Sequence, residues 1–209
     1  ETLFTELGVF ESFSPVIRAA DLQSPLVFLG NIQPPLQLEV AQLMMSKKYI
    51  VSDTMNLWID MCPNKVWDVL AISNIFLLNR EEAFQLTGEN DIPCAAGKLH
   101  ASGTEVVIIK MGKDGSYLSC KDGAFYIPAF PVRDVIDPTG AGDSFAGGFM
   151  GYLSQAGEPD FIEATLSGSA MASFCVENFS PESLLNVGPG DLSVRISAIR
   201  DLMFSSEDS

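Results

Sequence analysis

Basic residues are scarce in this chain. Its 209 residues carry 12 Lys and Arg against 27 Asp and Glu, a formal net charge of −15. A field of that sign repels phosphate backbones and anionic lipid, which argues against nucleic acid and membrane surfaces as partners. It does not exclude a small anion held at close range, because distant charge is screened within about 8 Å at physiological salt. Histidine is nearly absent: His100 is the only one. His-based metal sites and a Ser-His-Asp triad therefore have almost no material, and His100 itself is expected on the surface of a helix. The four cysteines, Cys62, Cys94, Cys120 and Cys175, lie far apart with no C-x-x-C. They read as buried apolar thiols in a reducing compartment. No apolar run approaches the roughly 18 residues of a membrane span, and residues 1–10 lack the basic and apolar regions of a secretory leader. The expected location is cytoplasmic. No G-x-G-x-x-G follows an early strand and no G-x-x-x-x-G-K-[ST] occurs, which argues against a dinucleotide-binding dehydrogenase and a P-loop kinase.

What is present is a composition fit for one globular domain, 47% apolar and 19% charged, with enough chain to build a core. Short, near-continuous apolar runs at 26–30 (LVFLG), 49–53 (YIVSD), 75–79 (IFLLN) and 106–111 (VVIIKM) read as strands covered on both faces. Helix-length stretches at 36–48, 56–72 and 80–87 lie between them, the last closed by Gly88 as a C-cap residue. Alternation of strand and helix predicts right-handed crossovers and an open, mostly parallel sheet. Beyond Gly112 the pattern changes. Residues 115–120 and 124–130 read as a hairpin joined by Lys121-Asp122-Gly123, followed by helices over 140–157, 159–178 and 192–204. Residues 1–14 alternate loosely, as an exposed strand or hairpin would. They have no preceding partner in the chain, so the chain reads as entering an α/β fold after that fold has begun.

The densest local signal is the thirteen-residue string 137–149, DPTGAGDSFAGGF. Pro138 and two spaced glycines make a tight turn, and a helix starts at about Gly140. The first turn of a helix points free N–H groups outward, and glycines there leave room for a ligand. The product is an anion hole aided by the helix dipole. Asp143, beside that hole, can accept a proton from a hydroxyl attacking phosphorus. The same aspartate can also serve only to complement the dipole, and Gly147-Gly148 can be no more than a helix-packing face.

This string resembles the signature of the ribokinase-like (PfkB) family of sugar and nucleoside kinases. Three more segments resemble that family in its order. Asn79-Arg80-Glu81-Glu82 opens a helix after a strand like the family's N-x-x-E, although Asn with Glu three residues later is also a helix capping box. Lys110-Met111-Gly112-Lys113-Asp114-Gly115 resembles the T-x-G-x-x-G nucleotide loop, with Lys110 in place of a hydroxyl residue. Asp53-Thr54-Met55-Asn56 resembles a D-x-N region lining the active cleft, where Asn56 reaches phosphate or substrate or simply forms a turn. The helix 168–178 resembles the border of the adenine pocket.

The resemblance implies a three-layer α/β/α ribokinase-like fold, N-terminally truncated. Residues 1–14 would be a remnant of the lid or edge-strand region and 15–209 the kinase core. It implies an ATP-dependent phosphotransferase acting on a hydroxyl of a sugar or nucleoside, with Asp143 as catalytic base and Gly140, Ala141 and Gly142 completing the anion hole. Asn79, Glu82, Lys110, Gly112, Gly115, Thr139, Asn56 and Asn178 would border ATP. Asn79 and Glu82 would hold Mg²⁺ through water, as oxygen ligands suit that ion, and Asp137 would lie at a monovalent-cation site. The alternative is a nucleotide-binding remnant of such a kinase without turnover. The partner is a small molecule, and a homodimer is left open.

Overall fold

The computed structural model describes residues 8–179 and 181–205. Six strands form one sheet in the order β1 (Leu26–Leu29), β2 (Tyr49–Asp53), β3 (Ile75–Asn79), β4 (Val106–Lys110), β5 (Ser116–Cys120) and β6 (Gly123–Ile127). The first four are parallel, and β5 and β6 run antiparallel as the expected hairpin. The helices are α1 (Pro34–Leu43), α2 (Asn56–Met61), α3 (Pro63–Ile72), α4 (Arg80–Thr87), α5 (Ile92–His100), α6 (Ala141–Gln155), α7 (Phe161–Cys175) and α8 (Pro189–Ser205).

The strands alternate between two faces, both buried in the central strands β3 and β4. Ile75, Leu77, Val106 and Ile108 pack with Phe145, Phe149 and Leu166 of α6 and α7 and with Ile199 of α8. Phe76, Leu78, Val107 and Ile109 pack against α2 to α5. Val27, Leu29 and Ile50 continue that second layer onto α1. Helices on both sides explain why β3 and β4 are apolar nearly throughout.

Several elements differ from the expectation, each for a local reason. The stretch 56–72 is two helices, because Pro63 lacks an N–H and forces Cys62 out of helical geometry (φ −150°, ψ 60°). The first helix starts earlier, on Pro34-Pro35 in its first turn, and stops at Leu43 where Met44 turns extended. Helix α5 was not anticipated, although Asp91 caps it by accepting from the Cys94 N–H at 3.0 Å. His100 ends that helix half-buried. Its ring nitrogens meet the Thr104 carbonyl (2.8 Å) and the Ser119 hydroxyl (2.9 Å), which ties α5 to β5 rather than facing solvent. Only Cys175 is a buried thiol; Cys62 and Cys120 are half-buried and Cys94 is exposed. Of residues 1–14, the described part contains a short 3-10 turn at Gly8–Ser12 instead of a strand, and 1–7 lie outside the described residues. Among the described residues no helix is long and apolar enough to cross a membrane.

The α6–α7 pair is packed backbone to backbone. A Cβ on Gly148 would lie 2.6 Å from the Ser167 carbonyl oxygen, and one on Gly168 would lie 2.8 Å from that of Phe145. The Ser167 hydroxyl also donates to the Gly148 carbonyl at 3.0 Å. Gly147, one residue before Gly148, has nothing within 4 Å of its Cβ position. Gly168→Val is therefore expected to cost roughly 1–3 kcal/mol by overpacking. Gly147→Ala is expected to be neutral or stabilising by up to about 1 kcal/mol through helix propensity. Thermal unfolding of the two variants checks this contrast: equal loss in both contradicts the close approach.

Candidate active site

Parallel register brings the ends of three strands to one edge of the sheet, the place where open α/β sheets bind ligands. A cleft of about 900 Å³ opens there. Asp53 closes β2, Asn79 closes β3 and Lys110 closes β4, with Asn79 directly opposite Lys110. The N-terminus of α6 faces this row from the far side of the cleft.

Gly140 caps α6 in the left-handed region, φ +79°, a conformation glycine adopts without steric cost. The Ala141 N–H closes the turn onto the Pro138 carbonyl (3.1 Å), and the Ser144 N–H makes the first helical bond to Gly140 (2.8 Å). The N–H groups of Gly142 and Asp143 are the first-turn donors left facing outward. The helix start thus offers fewer free N–H groups than expected, since the Ala141 N–H has its own acceptor. Asp143 is exposed at the cleft wall.

Lys110 Nζ donates to Asp53 Oδ2 at 3.0 Å, with 17% and 7% of the two side chains exposed. The same Nζ lies 3.4 Å from where a Cβ on Gly142 would sit, so the lysine stands between the strand ends and the α6 N-terminus. Asp53 also accepts from the Thr54 N–H at 2.8 Å. Its carbonyl, with those of Leu29 and Gly30, accepts from the buried Gln37 amide. Burial pushes the Asp53 carboxyl up, Lys110 opposes this, and the negative charge of Asp143 adds to it.

Asn79 and Glu82 form the capping box: Asn79 Oδ1 accepts from the Glu82 N–H (2.8 Å), and Glu82 Oε2 accepts from the Asn79 N–H (2.7 Å). Both line the cleft. Glu82 is 6% exposed, and burial pushes its carboxyl up to about 7, against the Asn79 N–H and Lys110 and with help from Asp53 and Glu81.

Gly112 and Gly115 line the cleft on the loop after β4. Gly115 packs against β6, where a Cβ would lie 2.1 Å from the Ile127 carbonyl oxygen. Arg80 bonds Asp114 across that loop at 2.7 Å. Four expected residues fall outside the cleft lining. Asn56 opens α2 with its amide on the Gln85 side chain (2.6 Å), a helix-to-helix contact. Asn178 is exposed beyond the end of α7. Thr139 and Asp137 belong to the turn before α6, the Thr139 N–H donating to Asp137 Oδ1 at 2.9 Å. That bond and the Thr139 hydroxyl hold the Asp137 carboxyl below its ordinary range. Asp137 does not converge with Asn79 and Glu82, and among the described residues no group of three or more His, Cys, Asp or Glu gathers for a metal.

Asp53 lines the cleft as its segment's resemblance implied, but its pairing with Lys110 was not foreseen. Nor was the apolar wall from Ala129 to Val132 with Val135, which lines the cleft together with Ala172 and Val176 of the α7 region. That segment has no periodicity to reveal it.

Fold and cleft define a three-layer α/β/α protein with a helix N-terminus facing the cleft at the carboxyl edge of its sheet. Residues 28–186 match the pfkB family carbohydrate kinase description, and the chain belongs to that family. Over 156 residues it is 29% identical to the cytidine kinase of Thermococcus kodakarensis, covering 72% of this chain and 55% of that protein. Over 97 residues it is 37% identical to the aminoimidazole riboside kinase of Salmonella typhimurium, covering 46% of this chain and 30% of the relative. The nucleoside kinase of Methanocaldococcus jannaschii, a ribokinase-family structure, shares the fold with a TM-score of 0.71 at 22% identity, over 91% of this chain and 60% of that one. The chain thus spans between 30% and 61% of the length of the curated relatives it matches.

Glu82 has a consequence for stability. Its folded-state value of about 7 lies above the ordinary 4.5, so the folded chain holds this proton longer than the unfolded one. The stability it contributes is whole below about pH 4.5 and is lost as pH rises through about 7, a total of roughly 3 kcal/mol. Urea unfolding across that range is expected to show the decline. Glu82→Gln should reduce the slope, leaving the part due to Asp53, which is shifted in the same direction. A slope unchanged by the substitution contradicts this reading of Glu82.

Proposed function

We propose that this chain carries the phosphoryl-transfer half of an ATP-dependent kinase that phosphorylates a hydroxyl of a sugar or nucleoside, with Asp143 as general base. The observation that carries the reading is the α6 start, where the N–H groups of Gly142 and Asp143 and the Asp143 carboxylate share one wall of a cleft with Lys110 opposite. A transferring phosphoryl group needs positioning and charge stabilisation more than covalent help. The first-turn N–H groups and the helix dipole supply that at one point, and Asp143 is adjacent to take the proton of the attacking hydroxyl. The cleft divides by chemistry. Its polar end suits phosphates, and its apolar end, at Phe130, Val132 and Val176, suits a base.

The residues present fit a Mg²⁺ ion held through water. Glu82 is a buried carboxyl whose Oε1 takes no part in the capping box, and Asp53 lies near enough to raise it further. A nearby dication would favour the ionised form of Glu82 and oppose the upward push that burial gives Asp53. When bound, it would neutralise charge on the phosphates. Glu82 and Asp53 would hold its water shell, while Lys110 contributes a fixed positive charge. A monovalent cation at Asp137 receives no support beyond that one carboxylate. The relatives' names, a cytidine kinase and an aminoimidazole riboside kinase, support a nucleoside or sugar acceptor. A soluble, cytoplasmic enzyme is the corresponding expectation.

Asp143→Asn keeps the size and the backbone N–H groups but cannot accept a proton. It is expected to lower turnover by roughly 10²–10⁴-fold while nucleotide affinity changes little. Steady-state phosphorylation of a panel of pentoses, hexoses and nucleosides, with a parallel ATP titration, tests it. A variant with near-normal kcat would remove Asp143 from the chemistry.

A further inference from the structure

Arg195 of α8 is half-buried, with 13% of its side chain exposed, and sits behind the apolar end of the cleft. Its guanidinium lies 3.5 Å from the ring centre of Phe174 and 4.5 Å from that of Phe130. One nitrogen donates to the Ser173 hydroxyl at 2.7 Å, and another is paired with the Glu177 carboxylate. Phe130 and Ser173 line the cleft; Arg195, Phe174 and Glu177 do not.

Phe130 belongs to the segment 128–140 between β6 and α6, which has no regular structure. Such a segment needs external anchors to hold one shape. Its other ties lead to the C-terminal end of α7. The Ile136 N–H donates to the Val176 carbonyl at 2.8 Å, and the Cys175 thiol meets the Thr139 carbonyl at 3.4 Å. Arg195 anchors the part of the segment farthest from those ties. A planar cation stacked on aromatic faces while its fork bonds a hydroxyl and a carboxylate is a geometry Arg supplies and Lys does not.

We propose that Arg195 is a positioning residue for the base-side wall of the cleft, acting on bound nucleotide through Phe130. The proposal rests on the kinase reading above and deepens it: it assigns a residue remote from the phosphates to recognition of the base. Substituting Arg195 frees the Phe130 ring and leaves the Glu177 carboxylate unpaired, so the wall loses its fixed shape while the α6 N-terminus keeps its own.

The test is a calorimetric titration of the 209-residue chain with Mg²⁺-ATP and, separately, with Mg²⁺-tripolyphosphate, which has no base. Arg195→Met is expected to weaken ATP about tenfold, from the size of a desolvated cation–π contact, and to leave tripolyphosphate unchanged. Phe130→Leu, which keeps apolar bulk but removes the ring face, is expected to show the same split. It also keeps the proposal testable if the Met variant fails to fold. Weakening of both ligands alike, or of neither, overturns the assignment of Arg195 to the base-side wall. Wild-type protein that binds neither ligand overturns the kinase reading itself, and this proposal with it.

Discussion

Everything at the cleft depends on how closely α6 lies against α7. Two glycines, Gly148 and Gly168, let the helices meet through backbone atoms, and that contact fixes the axis of α6. A helix fixed in this way presents its first-turn N–H groups at one place, and the dipole effect depends on that placement because it fades within a turn. The same α7 carries at its C-terminal end the groups that fasten the segment leading into α6, the Cys175 thiol and the Val176 carbonyl, and its Ser173 hydroxyl accepts from Arg195, which stacks on Phe130 of that segment. One helix therefore aligns both the α6 N-terminus at the polar end of the cleft and its apolar end.

The charge arrangement is equally constrained. Asp53, Glu81, Glu82, Asp114 and Asp143 bring five carboxylates to the cleft lining, with Arg80, Lys110 and Lys113 among them, in a chain that already carries −15 overall. Burial raises Asp53 and Glu82, so the site resists adding negative charge until positive charge accompanies it. Lys110 supplies part of that charge and is held by Asp53 at the mouth of the anion hole. That position is where the family pattern has a hydroxyl residue, so the lysine gives this cleft a fixed cation in place of a neutral donor.

Much of this was legible in the sequence because its signals are local. Unbroken apolar runs identified the four parallel strands, and Asp-Gly placed the hairpin. The string DPTGAGDSFAGGF marked the turn, the cap and the helix start together. What was not legible required partners distant in sequence. Asn56 reads as a cleft residue until Gln85, on another helix, is seen to take its amide. Ala141 reads as an anion-hole donor until Pro138 is seen to accept its N–H. His100 looks like a surface residue because its partner Ser119 lies across a strand. Asp53, within a quoted segment, gains meaning only when β4 brings Lys110 beside it. The break at Cys62 is the exception: Pro63 was visible throughout and outweighed the helical spacing around it.

The segment 128–140 is irregular, yet its anchors lie within the protein itself. A loop already fastened at Phe130, Ile136 and Thr139 has surrendered its conformational freedom before any ligand arrives, and that cost is charged to folding rather than to association. Binding at this cleft should therefore carry a small entropic penalty for a site built from so much non-repetitive backbone. The stability of the fold and the affinity of the site draw on the same fastenings.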